Sequence, residues 1–320
     1  METSSRQNIR FVRNTVVNLM RILITGGTGL LGWNLVQMLS TKEYEIVATY
    51  HITQPQKDFP NVEWIQIDLA RYEDVSRLVA KTKPAVVVHT AAHTDVDDCE
   101  VRKDLAYRVN YEATKALAKA CKDFCEHFIY VSTDYVFDGA KGLYREEDLP
   151  NPINYYGLTK LLGEVAVESL LENYLIIRTS NIYGCSPSGK KGFALNTLEK
   201  LLLRNDVKAI CDQYLSPTYA PDLANNIVEI LRLRPRGVIH LAGERVSRYN
   251  FALEIAKTLG LKEDSVRPVS FEEIVFKARR PRDSSLDISK ARSLGLSIRP
   301  FKESVREFVE KCSSYAIQRI

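Results

Sequence analysis

A tyrosine and a lysine at helical spacing are the residues of this chain best suited to proton transfer. They are Tyr156 and Lys160, within the stretch NYYGLTKLLGE at 154–164. Residues four apart share one face of a helix, whereas Tyr155 points about 100° away from that face. An ammonium group stabilises a phenolate, so we expect Lys160 to lower the pKa of Tyr156 from about 10 toward neutrality. The pair could then exchange a proton with the oxygen of a reacting carbonyl.

A threonine at the end of a predicted strand could hold the same carbonyl oxygen. Thr133 lies in YVSTDYVFDG, and parallel sheets bind ligands at the carboxyl ends of their strands. Taken singly, a Tyr–Lys pair is more often a surface feature, and a threonine after a strand more often caps a turn. Both features together, downstream of a glycine-rich turn, favour a catalytic site.

Three glycines follow the first predicted strand and open a helix, which is typical of a phosphate-binding turn. Gly26, Gly29 and Gly32 have the spacing GxxGxxG in RILITGGTGLLG. Glycine permits a tight turn and a close approach of a pyrophosphate, and the helix N-terminus offers N–H groups to the anion. We therefore expect a nicotinamide dinucleotide at this turn. The alternative is a tight turn without a ligand.

The end of the second predicted strand bears on the choice of cofactor. Tyr50 and His51 stand where an acidic residue would bind the adenosine ribose of NAD. The missing carboxylate favours NADPH. NADH is also possible, because Lys57 is the nearest cation in the sequence that could hold a 2′-phosphate.

Apolar runs alternate with amphipathic helical stretches through the first half of the chain. The runs are RILIT, EIVATY, VEWIQI, AVVVHT, HFIYVS and YLIIRT. They predict an α/β class, a doubly wound parallel sheet of the NAD(P)-binding, Rossmann-like type with a smaller mixed α/β substrate lobe. Later in the chain, YLSPTYAPD is predicted to be a loop. The expected divisions are a disordered extension at 1–19, a dinucleotide-binding domain at 20–180 to which 216–243 returns, a substrate lobe at 181–215 and 244–300, and a C-terminal helix at 301–320.

The composition gives no sign of a nucleic-acid or membrane partner. The 320 residues include 44 basic and 40 acidic side chains, and a net charge of +4 is too balanced for either partner. No apolar run approaches the roughly 20 residues of a membrane-spanning helix. Because residues 1–19 lack the apolar core of a signal peptide, we expect a cytoplasmic protein without disulfides, whose six cysteines are small buried apolar groups.

Longer motifs make the chain resemble the extended short-chain dehydrogenase/reductases and, among them, the dTDP-4-dehydrorhamnose reductases. The motifs are TGGTGLLG, STDYVFDG and YYGLTK, together with the more specific AAHTDVDDCE, REEDLPNPINYYGLTKLLGE, DQYLSPTYAPDLA and RPRDSSLD. The resemblance covers about residues 20–300. It implies that Thr133, Tyr156 and Lys160 are the catalytic residues.

The same resemblance implies two sets of binding residues. Those for the cofactor are Gly26, Thr28, Gly29, Leu30, Leu31, Tyr50, Asp68, Leu69, Ala91, Ala92, Tyr156 and Lys160. Those for a nucleotide-sugar substrate are Thr94, Asp95, Val96, Asn181, Gln213, Thr218 and Arg280. Arg280 suits the diphosphate, because a guanidinium group holds phosphate oxygens in a forked geometry.

One of these residues departs from the family pattern. Asn181, in RTSNIYG, stands where many bacterial members have a tryptophan. An amide cannot stack against a hexose or shield it from water as an indole can. The sugar is therefore either held differently or is not the usual one.

An acidic cluster follows the fourth predicted strand, in the order Asp95, Asp97, Asp98 and Glu100. Carboxylates at this point are typical of a helix N-terminus, and we predict no metal site from them. Mg²⁺ that bridges substrate phosphates is possible, although spacing alone does not support it.

The resulting hypothesis is an NADPH-preferring reductase of the C4 ketone of a nucleotide-diphosphate 4-keto-6-deoxyhexose. The reaction implied by the resemblance converts dTDP-4-dehydrorhamnose to dTDP-L-rhamnose, and a homodimer is a possible assembly. A non-catalytic, cofactor-binding regulatory subunit like that of methionine adenosyltransferase fits the same motifs. A sugar-nucleotide epimerase or dehydratase fits less well, because Asp134 is followed by Tyr135 rather than by glutamate.

Overall fold

Strands and helices alternate along the part of the chain that the computed structural model describes, which is residues 19–186, 189 and 191–317. The strands are β1 Met20–Thr25, β2 Tyr44–Tyr50, β3 Val62–Gln66, β4 Val86–His89, β5 His127–Thr133, β6 Tyr174–Tyr183, β7 Val207–Ile210, β8 Tyr214–Leu215, β9 Pro217–Tyr219, β10 Gly237–His240, β11 Val246–Ser247 and β12 Val266–Val269. The α-helices are α1 Leu30–Leu39, α2 Tyr72–Thr82, α3 Val96–Val101, α4 Lys103–Tyr107, α5 Ala113–Cys121, α6 Tyr155–Leu170, α7 Phe193–Leu202, α8 Ala220–Leu233, α9 Arg248–Thr258, α10 Ser289–Ser293 and α11 Phe301–Ile317. The expected extension at 1–19 lies outside the described residues, apart from residue 19.

Eight of the strands form one sheet, in which every pairing is parallel. Its order is β10-β6-β5-β4-β1-β2-β3, and β9 pairs with the far end of β6. The order reverses between β1 and β4, and a ligand in such a sheet binds in the crevice outside the carboxyl ends of these strands. The predicted doubly wound α/β class is confirmed.

Helices cover both faces of this sheet. On one face α1 and α8 pack together, and Leu35 and Ile227 are completely buried there. On the other face α2, α5 and α6 bury Leu78, Leu117 and Val167. Each fully buried aliphatic side chain contributes about 1.5–3 kcal/mol. Burial on both faces explains why the strands are apolar at nearly every position.

A second, smaller core lies beyond the main sheet. In it, β7 pairs with β12, and α7, α9 and α11 pack around the buried side chains of Leu198, Phe251 and Phe308. A disulfide between Cys185 and Cys312, whose Cα atoms are 6.1 Å apart, joins the segment after β6 to α11. The expectation of six cysteines without a disulfide is therefore wrong, because two that are distant in sequence meet in this core.

The predicted loop YLSPTYAPD is also wrong, since it contains β8, β9 and the start of α8. β9 forms by pairing with β6, which is far away in the sequence. Pro221 lies in the first turn of α8, a position that proline favours in helices. Of the helices in the described part, none combines the length and the apolar character needed to cross a bilayer.

Candidate active site

The glycine-rich turn after β1 is shaped by two positions where no larger residue fits. Gly26 has φ +69°, in the left-handed region, and a Cβ there would lie 3.0 Å from the Cα of Ala91. A Cβ on Gly32 would lie 2.2 Å from the carbonyl oxygen of Gly26. Gly29 caps α1, whose N-terminus opens toward the crevice between β1 and β4. Glycine at these positions lets the turn pack closely against α1, whose N-terminal N–H groups suit the pyrophosphate of a dinucleotide.

The other predicted cofactor residues lie at the carboxyl ends of four neighbouring strands. Thr28, Leu30 and Leu31 follow β1, and Tyr50 ends β2. Asp68 and Leu69 follow β3, and Ala91 and Ala92 follow β4. The structure thus brings this set to one edge of the sheet. The Oδ1 atom of Asp68 accepts a hydrogen bond from the amide of Ala70 and lies 3.9 Å from Nε2 of His51.

The start of α6 places Tyr156 beside the end of β5. Asn154 caps this helix, since its Oδ1 atom accepts from the amide of Gly157 at 2.8 Å. At Gly157 the helix passes so close to the segment after Thr133 that a Cβ would lie 2.0 Å from the carbonyl oxygen of Tyr135. The rings of Tyr135 and Tyr156 are 6.0 Å apart. Thr133 and Tyr156 are brought together as predicted from their motifs.

The expected electrostatic pairing of Tyr156 with Lys160 is wrong in this structure. In the described part of the chain, the ammonium of Lys160 donates to the carbonyl oxygen of Val131 at 2.8 Å and lies 4.1 Å from the ring centre of Tyr130, and no hydrogen bond joins it to the Tyr156 phenol. Burial lowers the pKa of Lys160 to about 7, and Glu164 opposes that shift. Although Tyr156 is partly accessible, desolvation of its phenol raises its pKa, and a hydrogen bond with Thr133 offsets this only in part.

A raised pKa has a direct chemical consequence for Tyr156. The phenol keeps its proton at neutral pH, so the group is ready to act as an acid. An acid is what the reduction of a ketone requires, because the oxygen gains a proton when the carbon gains a hydride.

A carboxylate to which the sequence analysis gave no role in the proposed reaction lies directly behind Thr133. Asp134 is buried, and its Oδ1 atom accepts from the hydroxyl of Thr133 at 3.0 Å. Its Oδ2 atom accepts from Ser180 at 2.8 Å and from Ser284 at 2.5 Å. Burial raises the pKa of Asp134 to about 6, and the three hydroxyl groups oppose this rise. Asp134 thus holds Thr133 in place. Ser180 and Ser284 are separated from Asp134 by 46 and 150 positions in the sequence, so no local sequence pattern reveals these contacts.

Two further buried groups support the ends of these elements. Glu164 and Arg178 form a buried ion pair at 2.7 Å, and Ser132 donates to Glu164 at 2.5 Å, which ties α6 to β5 and β6. Asn110 lies in a π-helical turn between α4 and α5. Its side chain accepts a hydrogen bond from the amide of His93, donates one to the carbonyl of the same residue, and donates another to the hydroxyl of Thr159. Single π-helical turns are frequent at functional sites, because they place a side chain that a regular helix would not.

The predicted substrate residues lie on both sides of the crevice. Gln213 is buried; its Nε2 atom donates to the carbonyl of Pro281 at 2.9 Å, and its Oε1 atom accepts from Arg248 at 2.6 Å. The hydroxyl oxygens of Thr218 and Thr179 are 3.2 Å apart. These contacts join β6, β9 and the segment that contains Arg280.

Four other predicted substrate residues lie at or beside the start of α3. Thr94, Asp95 and Val96 lead into α3, where Asp95 caps the helix by accepting from the amide of Asp98. Arg280 forms an ion pair with Asp97 at 3.0 Å and donates to the carbonyl of Ala278. The guanidinium group of Arg280 is thus fixed between α3 and the segment that contains Phe276 and Ala278.

Asn181 is the predicted residue with the most unusual backbone. It lies near the end of β6 with φ +39°, and its side-chain nitrogen is buried with no hydrogen-bond partner among the described residues.

Tyr135 and Arg248 are candidate substrate residues that sequence reasoning missed. Burial raises the pKa of the Tyr135 phenol, and the neighbouring Arg248 and Arg280 oppose that rise. Arg248 is the first residue of α9 and lies over the ring of Phe193. Tyr135 lies within STDYVFDG but had no role assigned to it, and Arg248 belongs to none of the motifs, so only the folded arrangement identifies them.

A cavity of about 820 Å³ lies next to Arg280, between the segments 138–141 and 271–283. Its lining includes Arg245, Phe271, Phe276, Lys277, Arg280 and Arg282. Three of these guanidinium groups lie over aromatic rings, at 3.7 Å for Arg245 on Tyr214 and 5.1 Å for the other two. Arginines held in this way suit an anion that also presents a flat ring.

The carboxylates of the acidic cluster have protein partners. Asp98 contacts Arg102 and His93, Asp97 contacts Arg280, and Glu100 accepts from the amide of Tyr155. Within the described residues no group of three or more His, Cys, Asp or Glu side chains could hold a metal ion. Mg²⁺ therefore has no support here.

This chain is similar to known proteins in both sequence and structure. The family model described as RmlD substrate binding domain matches residues 20–314. A hypothetical dTDP-4-dehydrorhamnose reductase from Sulfolobus tokodaii has a similar structure, with a TM-score of 0.76, 41% identity, and coverage of 86% of this chain and 94% of that one. The dTDP-4-dehydrorhamnose reductase of Bacillus anthracis, solved in complex with NADP, has a TM-score of 0.81 at 30% identity over 92% and 99% of the two chains.

One similar relative is not named as a reductase. The methionine adenosyltransferase 2 subunit beta of Bos taurus is 33% identical over 300 residues, which cover 90% of this chain and 86% of that protein. The family match extends over more than nine-tenths of the described residues. The chain therefore belongs to the RmlD family, whose dTDP-4-dehydrorhamnose reductases are NAD(P)H-dependent oxidoreductases of the extended short-chain dehydrogenase/reductase superfamily.

Proposed function

We propose that this protein reduces the C4 ketone of a nucleotide-diphosphate 4-keto-6-deoxyhexose and uses NADPH in preference to NADH. The observation that carries the proposal is the protonated phenol of Tyr156, placed beside Thr133 at the sheet edge that also holds the glycine-rich turn. Proton donor, carbonyl ligand and dinucleotide cradle thus meet in one crevice. The similar solved structures include a reductase in complex with NADP.

Each residue of the crevice would have a separate role in the reaction. A dihydronicotinamide held at the glycine-rich turn would supply a hydride to the carbonyl carbon. Thr133 orients the carbonyl oxygen, and Tyr156 gives its proton to that oxygen as negative charge develops there. Lys160, in its charged form, would hold the ribose of the nicotinamide. Asp134 fixes the Thr133 hydroxyl through the bond between them.

The cavity beside Arg280 supports a nucleoside diphosphate as the other part of the substrate. Arg280 and Arg248 both lie near Tyr135, whose ring is 6.0 Å from that of Tyr156. A sugar at Tyr156 would therefore place its diphosphate near these arginines. The base would then reach the aromatic and basic lining around Phe271 and Phe276. The proposed nucleotide is dTDP, as in the named structural relatives.

The preference for NADPH has support at the end of β2. Tyr50 ends this strand and His51 follows it, and neither repels a 2′-phosphate as a carboxylate would. We expect NADPH to bind more tightly than NADH. Titration calorimetry with each nucleotide measures this directly.

The test of the function is NADPH oxidation with enzymatically generated dTDP-4-keto-6-deoxyhexose. We expect turnover in the wild type and a loss of about 10²–10⁴-fold in Tyr156→Phe, the usual contribution of a general acid. Tyr155→Phe is the matched control, because Tyr155 lies on a different face of α6, and it should retain activity. NADPH binding is measured for all three proteins.

A regulatory role is the second candidate, favoured by the similarity to the methionine adenosyltransferase 2 subunit beta. It predicts that NADPH binds but that no ketone of this class is reduced by the wild type. Cofactor binding without turnover would thus support this role and contradict the proposed reductase.

A further inference from the structure

A buried histidine at the end of β4 lies at the centre of a chain of hydrogen bonds to which the proposed reaction gives no role. The Nδ1 atom of His89 is 2.6 Å from the hydroxyl oxygen of Thr25, and its Nε2 atom is 2.9 Å from that of Thr114. Thr25 ends β1, and Thr114 lies in α5. All three side chains are buried. The ring of His89 therefore joins β1 to a helix on one face of the sheet.

The partners of these hydroxyl groups fix the direction of every bond in the chain. The Thr114 hydroxyl donates its single hydrogen to the carbonyl oxygen of Asn110 at 2.8 Å, so its oxygen accepts from Nε2–H of His89. Burial lowers the pKa of His89 to about 3, so the ring is neutral and its Nδ1 atom has no hydrogen. Nδ1 then accepts from the hydroxyl of Thr25, whose oxygen accepts in turn from the amide of Ala91 at 3.2 Å.

One end of the chain lies at the glycine-rich turn. Ala91 follows β4, and its Cα is so close to this turn that it would lie 3.0 Å from a Cβ at Gly26. Thr25 immediately precedes the turn, and its carbonyl oxygen accepts from the hydroxyl of Thr90 at 2.7 Å. The bond that Thr25 donates to His89 therefore orients the hydroxyl that holds the amide of Ala91 beside the turn.

The other end of the chain lies at α6, the helix that contains Lys160. The side chain of Asn110 donates to the hydroxyl of Thr159, the residue before this lysine. The ring of Tyr130 stacks on that of His89 with centroids 5.5 Å apart, and the ammonium of Lys160 lies 4.1 Å from the centre of the Tyr130 ring. A displaced histidine ring would therefore move groups on both sides of the crevice.

We propose that His89 is a positioning residue for the cofactor, which acts as a fixed Nε2–H tautomer and holds the segment after β4 against the glycine-rich turn. The inference rests on the part of the proposed function that places a dinucleotide at this turn, and it adds a buried residue that acts through its neighbours. Without the acceptor at Nδ1, the Thr25 hydroxyl would be free to rotate, and the amide of Ala91 would lose its fixed partner. The cofactor would then meet a less ordered segment.

A pair of matched substitutions separates positioning from stability. Thr114→Val removes the acceptor for Nε2–H of His89 and keeps the shape of the side chain. Thr82→Val is the control, because Thr82 is also a buried helical threonine whose hydroxyl donates to the carbonyl four residues earlier, at 2.8 Å. It lies in α2 beside the start of β1, where its carbonyl accepts from Arg21. Both variants lose one buried hydroxyl, so both should lower the midpoint of denaturant unfolding by a similar amount.

Only the substitution in the chain should affect the cofactor. We expect Thr114→Val to bind NADPH about three- to tenfold more weakly than the wild type, the range of a single hydrogen bond. Thr82→Val should bind NADPH as the wild type does, and Thr114→Ser, which restores the hydroxyl, should restore the affinity. Titration calorimetry measures all four proteins.

Nitrogen NMR of the histidine rings tests the tautomer without reference to activity. The protein is labelled with ¹⁵N-histidine, and the signals of His89 are identified by their loss in His89→Asn. We expect a protonated Nε2 and an unprotonated Nδ1, with no titration between pH 5 and pH 9.

Failure of this inference is distinguishable from failure of the proposed function. An Nδ1–H tautomer of His89, or equal NADPH affinities in Thr114→Val and Thr82→Val, would overturn the positioning role. A wild type that reduces no sugar ketone, but whose NADPH affinity depends on Thr114 as expected, would overturn the proposed reduction and support the positioning role. A wild type that binds no nicotinamide dinucleotide would overturn both.

Discussion

Burial acts in opposite directions on the two titratable groups of the YxxxK motif. It raises the pKa of the Tyr156 phenol and lowers that of the Lys160 ammonium, because water stabilises the charged form of each group. The phenol is therefore an acid that needs help to become a phenolate. Lys160 does not pair with the phenol here, and its proposed contact with the cofactor ribose depends on the charge of its ammonium.

The first prediction concerns the pH dependence set by Lys160. Its pKa of about 7 lies below the usual value, so the ammonium loses its charge as pH rises through 7 rather than near 10. We expect kcat/KM, which reports groups of the free enzyme, to fall about tenfold for each pH unit above this value. The measurement is kcat/KM for the sugar nucleotide between pH 5 and pH 9.

Lys160→Arg is the control for that assignment. Arginine keeps its charge throughout this range, so the fall above pH 7 should disappear in the variant, even if its activity is lower at every pH. An unchanged alkaline limb in Lys160→Arg would show that another group causes it.

At this scale, the sequence predicts residues that belong to local motifs. Thr133, Tyr156 and Lys160 were identified from types and spacing, and the structure places the first two together. Asp134, Arg248 and Tyr135 were missed because their partners come from distant segments, such as Ser284 in the case of Asp134. The predicted partner of the Lys160 ammonium, Tyr156, was wrong, because the ammonium bonds the carbonyl oxygen of Val131 instead. The sequence of α6 contains no sign of that contact, which is made with β5.

Among the elements, α6 carries the tightest constraint in the site. Its approach to the segment after β5 depends on Gly157, and we predict that Gly157→Ala forces the helix away from Tyr135 because the Cβ would lie 2.0 Å from a backbone oxygen. The expected cost is about 1–3 kcal/mol of unfolding free energy. Activity should fall by more than tenfold, because Tyr156 is the preceding residue. Denaturant unfolding and steady-state kinetics measure the two effects.

Gly192→Ala is the matched control for this substitution. Gly192 precedes α7, and nothing lies within 4 Å of a Cβ built there. The substitution should therefore change the free energy of unfolding by about 0.5 kcal/mol or less. Equal effects of the two substitutions on stability and kinetics would contradict the packing argument.

The elements were predictable where periodicity is strong. The strands of the main sheet follow the apolar runs, since burial on both faces requires them. The segment Tyr214–Tyr219 was predicted as a loop, because its short strands exist only through pairing with β11 and with the end of β6. Pairing of this kind is a property of the fold and not of the local sequence.

For the whole molecule, the disulfide between Cys185 and Cys312 ties the active-site side of β6 to the last helix. It spans 127 residues, and crosslinks over long segments stabilise mainly by restricting the unfolded chain. We predict that reduction lowers the free energy of unfolding by about 2–4 kcal/mol. Thermal unfolding with and without a thiol reductant measures the difference.

Two variants separate this bond from other thiol effects. Cys312→Ala should unfold at a lower temperature and lose its sensitivity to the reductant. Cys211→Ser, which replaces an exposed free thiol, should behave as the wild type does. A wild type whose unfolding is indifferent to reductant would contradict the predicted role of the disulfide.

The central claim is hydride transfer to a sugar ketone with Tyr156 as the acid. The most direct measurement is mass spectrometry of the sugar-nucleotide product formed with NADPH deuterated at the nicotinamide C4 position. The account predicts that one deuterium reaches C4 of the hexose in the wild type and that product formation nearly stops in Tyr156→Phe. A wild type that binds NADPH and the sugar nucleotide but leaves the hexose unlabelled would contradict it.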